Sequence, residues 1–461
     1  MKQNFAFDPD FLWGASSSAY QCEGAAAEDG KAPSVQDIKT VPEGTADFTV
    51  ASDHYHRYKE DITLLAEMKA RAYRFSISWA RILPDGKENA AGIAHYHDVI
   101  DTCLSYGIAP IVTMYHFDLP AALEAQGGWS NPAVIDAYAD FARVLFREYG
   151  DKVPYFLTIN EQNVMILAGA IVGTGGSGQS ARQLYQRNHN MMLAQAKAMV
   201  LCHQMAPSAK IGPAPNINVI YPASSRPEDY LASRDAAAMR NWLYLDLAVH
   251  GRYNVYAWNI LRQQNALPEI APGDMELLAS AKPDFISLNY YATMTVQASA
   301  PVMPGTAAAD QQSGFHVGGH FQTVKNPHLS KTPFGWEIDP LGFTAVLKEV
   351  YDRYHLPVMI SENGIGLYDT LNADGTVHDT ERIRYYEAHI AALAQAVKEG
   401  VEVFAYCPWS AMDLISTHEG FRKRYGFIYV NRTDDALLDL TRYKKDSFYW
   451  YRDMILNQGR F

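Results

Sequence analysis

Eight short apolar runs, each followed by a longer helical pattern, constrain this chain more than any other feature. The runs are Phe11–Ser16, Ala72–Ser78, Ala109–Tyr115, Tyr155–Asn160, Lys210–Ala214, Asp284–Asn289, Pro357–Ser361 and Val401–Pro408. Most are continuously apolar rather than alternating, as strands covered on both faces must be. Helical patterns between them include Tyr55–Met68, Val134–Tyr149, Asn188–Gln204 and Asp379–Lys398. Eight β-then-α units predict an α/β fold of one kind, a closed (β/α)8 TIM barrel with long βα loops. The alternative, a doubly wound sheet, lacks its glycine fingerprint after the first strand.

The length of 461 residues suits one barrel with insertions, so residues 1–461 are expected to form a single domain. Two segments depart from the rhythm. Gly173–Gly178 is glycine-rich but lacks the following Lys-Ser or Lys-Thr of a phosphate loop, and reads as a flexible surface loop. Thr293–Gly335 is long and irregular, and is expected to rim the active site.

The formal net charge of −12 argues against nucleic acid or an anionic membrane as partner. Cys22, Cys103, Cys202 and Cys407 are too scattered for a disulfide framework or a zinc site, and are expected to be buried free thiols. No apolar run reaches membrane-spanning length, and the N-terminus lacks a signal pattern. The expectation is a cytoplasmic protein. His54 and His56 form an H-x-H, but residues two apart at a helix start face different ways. No metal and no cofactor are expected.

Barrel chemistry sits at the C-terminal ends of strands. The fourth strand ends Asn160-Glu161, and the seventh ends Ser361-Glu362. Carboxylates at apolar strand ends are costly without a partner or a task. A pair of them across a sugar ring suits glycoside hydrolysis, one as proton donor, the other as nucleophile or base.

Several longer motifs occur in order along the whole chain. They are Phe11-Leu12-Trp13-Gly14 through Gln21-Cys22-Glu23-Gly24, Tyr73-Arg74-Phe75-Ser76, Tyr115-His116-Phe117-Asp118, Asn160-Glu161 and Ser361-Glu362-Asn363-Gly364. On these the chain resembles glycoside hydrolase family 1. Two departures are small: Gln162 stands where proline more usually follows the first glutamate, and Ser361 replaces a commoner threonine. The resemblance implies that Glu362 is the nucleophile and Glu161 the general acid/base of a retaining β-glycosidase. It implies that Arg74 and Tyr291 flank the nucleophile, and a cation there favours the ionised carboxylate. It implies that Gln21, His116 and Asn160 bind the hydroxyls of the first sugar. Trp409 would be its stacking platform, and Trp336 would line the leaving-group side.

The segment after the eighth strand departs further. Ser416 stands where plain β-glucosidases of the family carry a glutamate, which would repel a phosphate. Ser416, Lys423 and Tyr425 instead fit the Ser-x6-Lys-x-Tyr of the branch acting on 6-phosphoglycosides. A hydroxyl, an ammonium and a phenol suit a phosphate dianion. Phe117, in place of tryptophan, agrees, and Thr417 tilts toward the gluco configuration. The resemblance therefore implies a small-molecule partner, a glycoside phosphorylated at position 6. Glu419 is the rival feature, a carboxylate near enough in sequence to fill the vacant role. Two alternatives stay open on the residues: a glycosidase for unphosphorylated β-glucosides or β-galactosides, and an inactive sugar-binding protein.

Overall fold

The computed structural model describes residues 7–175, 178–300 and 314–461. All eight apolar runs form strands: β1 Leu12–Ser16, β2 Ala72–Ser76, β3 Ala109–Tyr115, β4 Tyr155–Asn160, β5 Lys210–Ala214, β6 Ile286–Tyr290, β7 Val358–Asn363 and β8 Val403–Tyr406. Seven neighbouring pairs are hydrogen-bonded and parallel, in the order β5-β4-β3-β2-β1-β8-β7-β6. Between β5 and β6 the ladder is reduced to a parallel bridge, Asn216 with Asn289, and to bonds such as Asp284 N to Ile211 O at 2.9 Å. The ring of strands is thus almost closed, and the doubly wound alternative is excluded.

Inside the barrel each strand projects every second residue inward. The lower interior is apolar, filled by Ala72, Ile111, Leu157, Ala214, Phe285, Met359 and Ala405, with Leu12, Ala109, Tyr155 and Phe404 packed against them. One step higher the inward positions turn polar: Arg74 follows Ala72 on β2, and Thr113 follows Ile111 on β3. The polar layer lies at the C-terminal end of the ring, where barrel sites are built. Two register shifts lie there as well. One falls between Leu157 and Asn160 on β4, the other between Ile360 and Glu362 on β7. Such irregularities re-aim side chains, and each immediately precedes or includes a candidate carboxylate.

The helical readings hold with shifted ends. Val134–Tyr149 is observed as Ala133–Tyr149, and Asp379–Lys398 as Thr380–Lys398. Asn188–Gln204 is the larger correction, because the helix runs over Ala181–Met205. Its start is a capping box: the Ser180 hydroxyl accepts from Gln183 N, and the Gln183 side chain accepts from Ser180 N. The Thr293–Gly335 reading also needs correction, since the segment is not irregular throughout. Met294–Ala298, Phe321–Val324 and His316–Val317 build a small sheet with Ile220–Pro222, while residues 301–313 lie outside the described residues. Residues 176–177 of the glycine-rich loop lie outside them too.

The four cysteines are buried and unpaired. No helix among the described residues is long and apolar enough to cross a membrane. His54 and His56 diverge as helix geometry requires: His54 Nδ1 meets Asp61 Oδ2 at 2.7 Å, whereas His56 meets Asp53 and Glu28.

Candidate active site

Glu161 sits at the junction between β4 and the helix Gln162–Leu167. Its backbone is left-handed, φ 44° and ψ 46°, a strained conformation for a residue with a side chain. The backbone N–H donates to Ala214 O at 2.7 Å, which locks the turn onto β5. Glu161 Oε1 accepts two amide bonds, from Asn216 Nδ2 at 2.7 Å and Asn289 Nδ2 at 3.0 Å. Glu362, at the β7 register shift, is held on both oxygens. Arg74 Nη1 donates to Oε1 at 2.5 Å, and the Tyr291 hydroxyl donates to Oε2 at 2.6 Å.

The two carboxyl groups therefore have opposite surroundings. Burial, reinforced by the charge of Glu362, pushes the Glu161 carboxyl up to about 7, against the bonds from Asn216 and Asn289. Glu362 instead has a guanidinium in direct contact, a charge-assisted pair. Burial, then the Glu362 charge, holds the Tyr291 phenol far above its usual value, so it remains a neutral donor. Burial and the Arg74 charge hold His116 far below its ordinary value, so its ring is neutral.

One cavity collects most of the expected residues. Its walls include Glu161 and Glu362, together with Asn160, His116 and, from the short helix after β1, Gln21. A relay links these groups: Arg74 Nη2 donates to Asn160 Oδ1 at 2.7 Å, and Asn160 Nδ2 lies 3.1 Å from His116 Nε2. Gln21 is pinned by Ile415 O and the Ser18 hydroxyl at 2.8 and 2.7 Å. Trp409 lies almost parallel to His116, with ring centres 5.8 Å apart. Trp336, another wall residue, stands edge-on to Tyr291. The floor under Glu362 is Arg74 itself, fully buried and not part of the wall.

The remaining wall comes from the segment after β8. Ser416, Thr417 and Tyr425 reach the cavity. Lys423 does not form part of its wall. It is buried, with its ammonium 3.9 Å from the centre of the Trp336 ring and 5.7 Å from that of Tyr425. Glu419 is held by Arg422, 2.5 Å away, with His418 Nε2 3.9 Å from its other oxygen. Buried charges brace this segment from behind: Asp413 accepts from Arg424 and Lys445, both at 2.7 Å, and Asp369 accepts from Lys445 and Arg382.

The family model for glycosyl hydrolase family 1 matches residues 3–460. The chain belongs to glycosyl hydrolase family 1. It is a glycoside hydrolase. Its relatives include an aryl-phospho-β-D-glucosidase of Bacillus subtilis, 43% identical with 98% of both chains covered. Another is a 6-phospho-β-glucosidase of Dickeya chrysanthemi, 38% identical with 98% of both chains covered. Among solved structures, the family 1 β-glucosidase of Thermotoga maritima superposes with a TM-score of 0.89 at 36% identity, over 100% of both chains.

Within this family 1 fold, ten of the twelve residues singled out from sequence line the cavity, and the other two, Arg74 and Lys423, pack directly behind it. Three partners of Glu161 were missed: Asn216, Asn289 and, behind Asn216, Arg240. Asn289 carried a signal, a polar residue ending the sixth apolar run. Asn216 and Arg240 carried none, because only the fold brings a β5 extension and a distant helix to β4.

Proposed function

We propose that the enzyme hydrolyses 6-phospho-β-glucosides with retention of configuration, using Glu161 and Glu362 in a double displacement. In the first step a Glu362 oxygen attacks the anomeric carbon. The bond to the leaving oxygen breaks, and Glu161 supplies that oxygen with its proton. The sugar is then an ester of Glu362, and the charge that helped hold the proton on Glu161 is gone. Glu161 next takes a proton from water, whose oxygen displaces Glu362 and regenerates both groups. Residues 1–461 would act as a single catalytic domain, needing no metal or cofactor.

The observation that carries the mechanism is the asymmetry of two carboxyl groups on one cavity. One has its proton affinity raised by burial, and the other touches an arginine. Support for the phosphate comes from the segment after β8: Ser416 and Tyr425 offer hydroxyls to the cavity, and Glu419 is engaged by Arg422. Burial keeps the Tyr425 phenol neutral and donating. Two relatives are named as phosphoglucosidases. A second reading, hydrolysis of plain β-glucosides, is favoured by the position of Lys423, whose ammonium lies on Trp336 rather than on the cavity wall. The two readings separate in one comparison, turnover of p-nitrophenyl β-glucoside against its 6-phosphate. Preference for the phosphate supports the first reading, and equal turnover overturns it.

A further inference from the structure

Arg240 is fully buried, at 2% exposure, and lies 79 positions beyond Glu161 in sequence, on a π-helical turn, Ala238–Trp242. The turn joins the helices Pro227–Ala237 and Leu243–His250. An inserted residue of this kind turns a side chain off the regular helix face and is common at functional sites. The guanidinium lands on the β5 extension. Its Nη2 donates to Asn216 Oδ1 and to Asn218 Oδ1, both at 2.8 Å, and its Nη1 to Asn216 O at 3.2 Å.

A guanidinium can only donate. It therefore fixes which way round the Asn216 amide stands, with the carbonyl oxygen toward Arg240 and the NH2 toward Glu161. That NH2 makes the 2.7 Å bond to Glu161 Oε1. A turned amide would face Glu161 with an oxygen, to which only a protonated carboxyl could donate. Asn163 holds the frame from the other side, donating to Asn216 O at 2.6 Å and to Arg240 O at 3.1 Å, and accepting from Asn216 N.

We propose that Arg240 is a positioning residue that sets the proton affinity of Glu161, through the orientation of Asn216 and through its own charge. The proposal rests on Glu161 being the general acid/base. Arg240 feels the Glu161 charge more than that of any other carboxylate, and its own value, lowered by burial to about 10, leaves it cationic at neutral pH. The other groups facing Glu161 are Glu362 on β7, Asn289 on β6, Tyr291 beyond it, Tyr20 after β1, and Tyr425 after β8. Of these, Glu362 raises the Glu161 carboxyl and Asn289 lowers it, while the three tyrosines are neutral. Arg74 and His116 reach it at one remove through Asn160. Arg240 and the two amides are thus the counterweight that keeps burial from pinning the proton on Glu161 for both steps.

The test is the basic limb of the kcat/KM–pH profile for an aryl glycoside substrate. Arg240→Met removes donors and charge, which disfavours the carboxylate, so the limb should move up by roughly half to one pH unit. At neutral pH kcat should fall, because the base step needs an ionised Glu161. Arg240→Lys should restore most of the limb position. In an Asn216→Ala background Arg240→Met should add less than it does alone, and full additivity overturns the route through Asn216. If Arg240→Met does not fold, Arg240→Gln, which keeps a donor and loses the charge, should also shift the limb upward. A limb that survives Glu161→Gln overturns the assignment of Glu161 itself. A limb that vanishes there but stays fixed in the folded Arg240 variants overturns the Arg240 proposal alone.

Discussion

Arg74 Nη1 touches Glu362 Oε1 at 2.5 Å, with the arginine fully buried and the glutamate nearly so. The same guanidinium grips Thr113 Oγ1 and Asn160 Oδ1, both at 2.7 Å, so one side chain from β2 ties β3, β4 and β7 together beneath the cavity. Removing one member of a buried pair leaves the other uncompensated. Arg74→Met is expected to lower kcat/KM by about a hundredfold or more, roughly 3 kcal/mol or above. Activity within threefold of wild type in a folded variant would refute the role given to this contact.

The glutamate pair predicts different losses. Glu362→Gln should abolish turnover, since an amide cannot form the ester, while circular dichroism and thermal unfolding show an intact fold. Glu161→Gln should slow substrates with poor leaving groups most. Added azide should restore activity on a good leaving group, giving a β-glycosyl azide, because a small anion needs no base. The first sugar product of the wild-type enzyme, followed by NMR, should be the β anomer. An α product first would mean inversion.

The Glu161 carboxyl, raised by burial to about 7, fixes the direction of the pH dependence. A raised carboxyl is protonated below its own value and loses the proton above it. The first step needs that proton, so kcat/KM should hold below about 7 and fall above it, approaching tenfold per pH unit. Glu161→Gln cannot titrate, so its residual activity on activated substrates should lack this limb. A wild-type profile flat to pH 9 would contradict the assignment.

What the sequence made legible, and what it hid, follows from the range of the forces involved. The eight strands were readable because a strand covered on both faces must be apolar throughout, a local property. The carboxylates were readable because a charge ending such a run stands out. The network behind Glu161 was hidden: Arg240 lies on a helix whose pattern says nothing of β4, and Asn216 lies just past the end of β5. The small sheet within Thr293–Gly335 was hidden for a related reason. Its strands are two to five residues long and partly exposed, so burial imposes little pattern on them.

Gly364, two residues past Glu362, shows how a motif encodes packing. A Cβ there would sit 2.0 Å from Trp409 O, a backbone atom that cannot swing aside. Trp409 N donates in turn to Asn363 O at 2.9 Å, so β7 and the start of the post-β8 segment are held face to face. Gly364→Ala should force the two apart. The expected loss is about 1–3 kcal/mol of stability, read as a lower Tm, with a larger loss of kcat/KM because Glu362 and Trp409 are both displaced. A variant with normal Tm and normal kcat/KM would show that the two segments can separate freely.

Lys423 decides the phosphate question. Its ammonium rests on the Trp336 ring, 3.9 Å from the ring centre, with Phe334 4.7 Å away. From that position it lies behind a wall that includes Ser416, Trp336 and Tyr425. A phosphate dianion at sugar position 6 is expected to draw the flexible ammonium off the ring, because an ion pair with phosphate outweighs a cation–π contact of about 1–2 kcal/mol. Charge-assisted bonds contribute ~1.5–3 kcal/mol each. Two or three of them, discounted for desolvation, leave about 4 kcal/mol, a preference near a thousandfold in kcat/KM. Lys423→Ala should erase most of that preference while changing turnover of the plain glucoside little. Ser416→Glu should reverse it, since a carboxylate repels phosphate and accepts bonds from hydroxyls. Steady-state kinetics on p-nitrophenyl β-glucoside and its 6-phosphate measure both variants. If Lys423→Ala harms the two substrates equally, the lysine only buttresses Trp336, and the enzyme is a β-glucosidase with an unusual segment after β8.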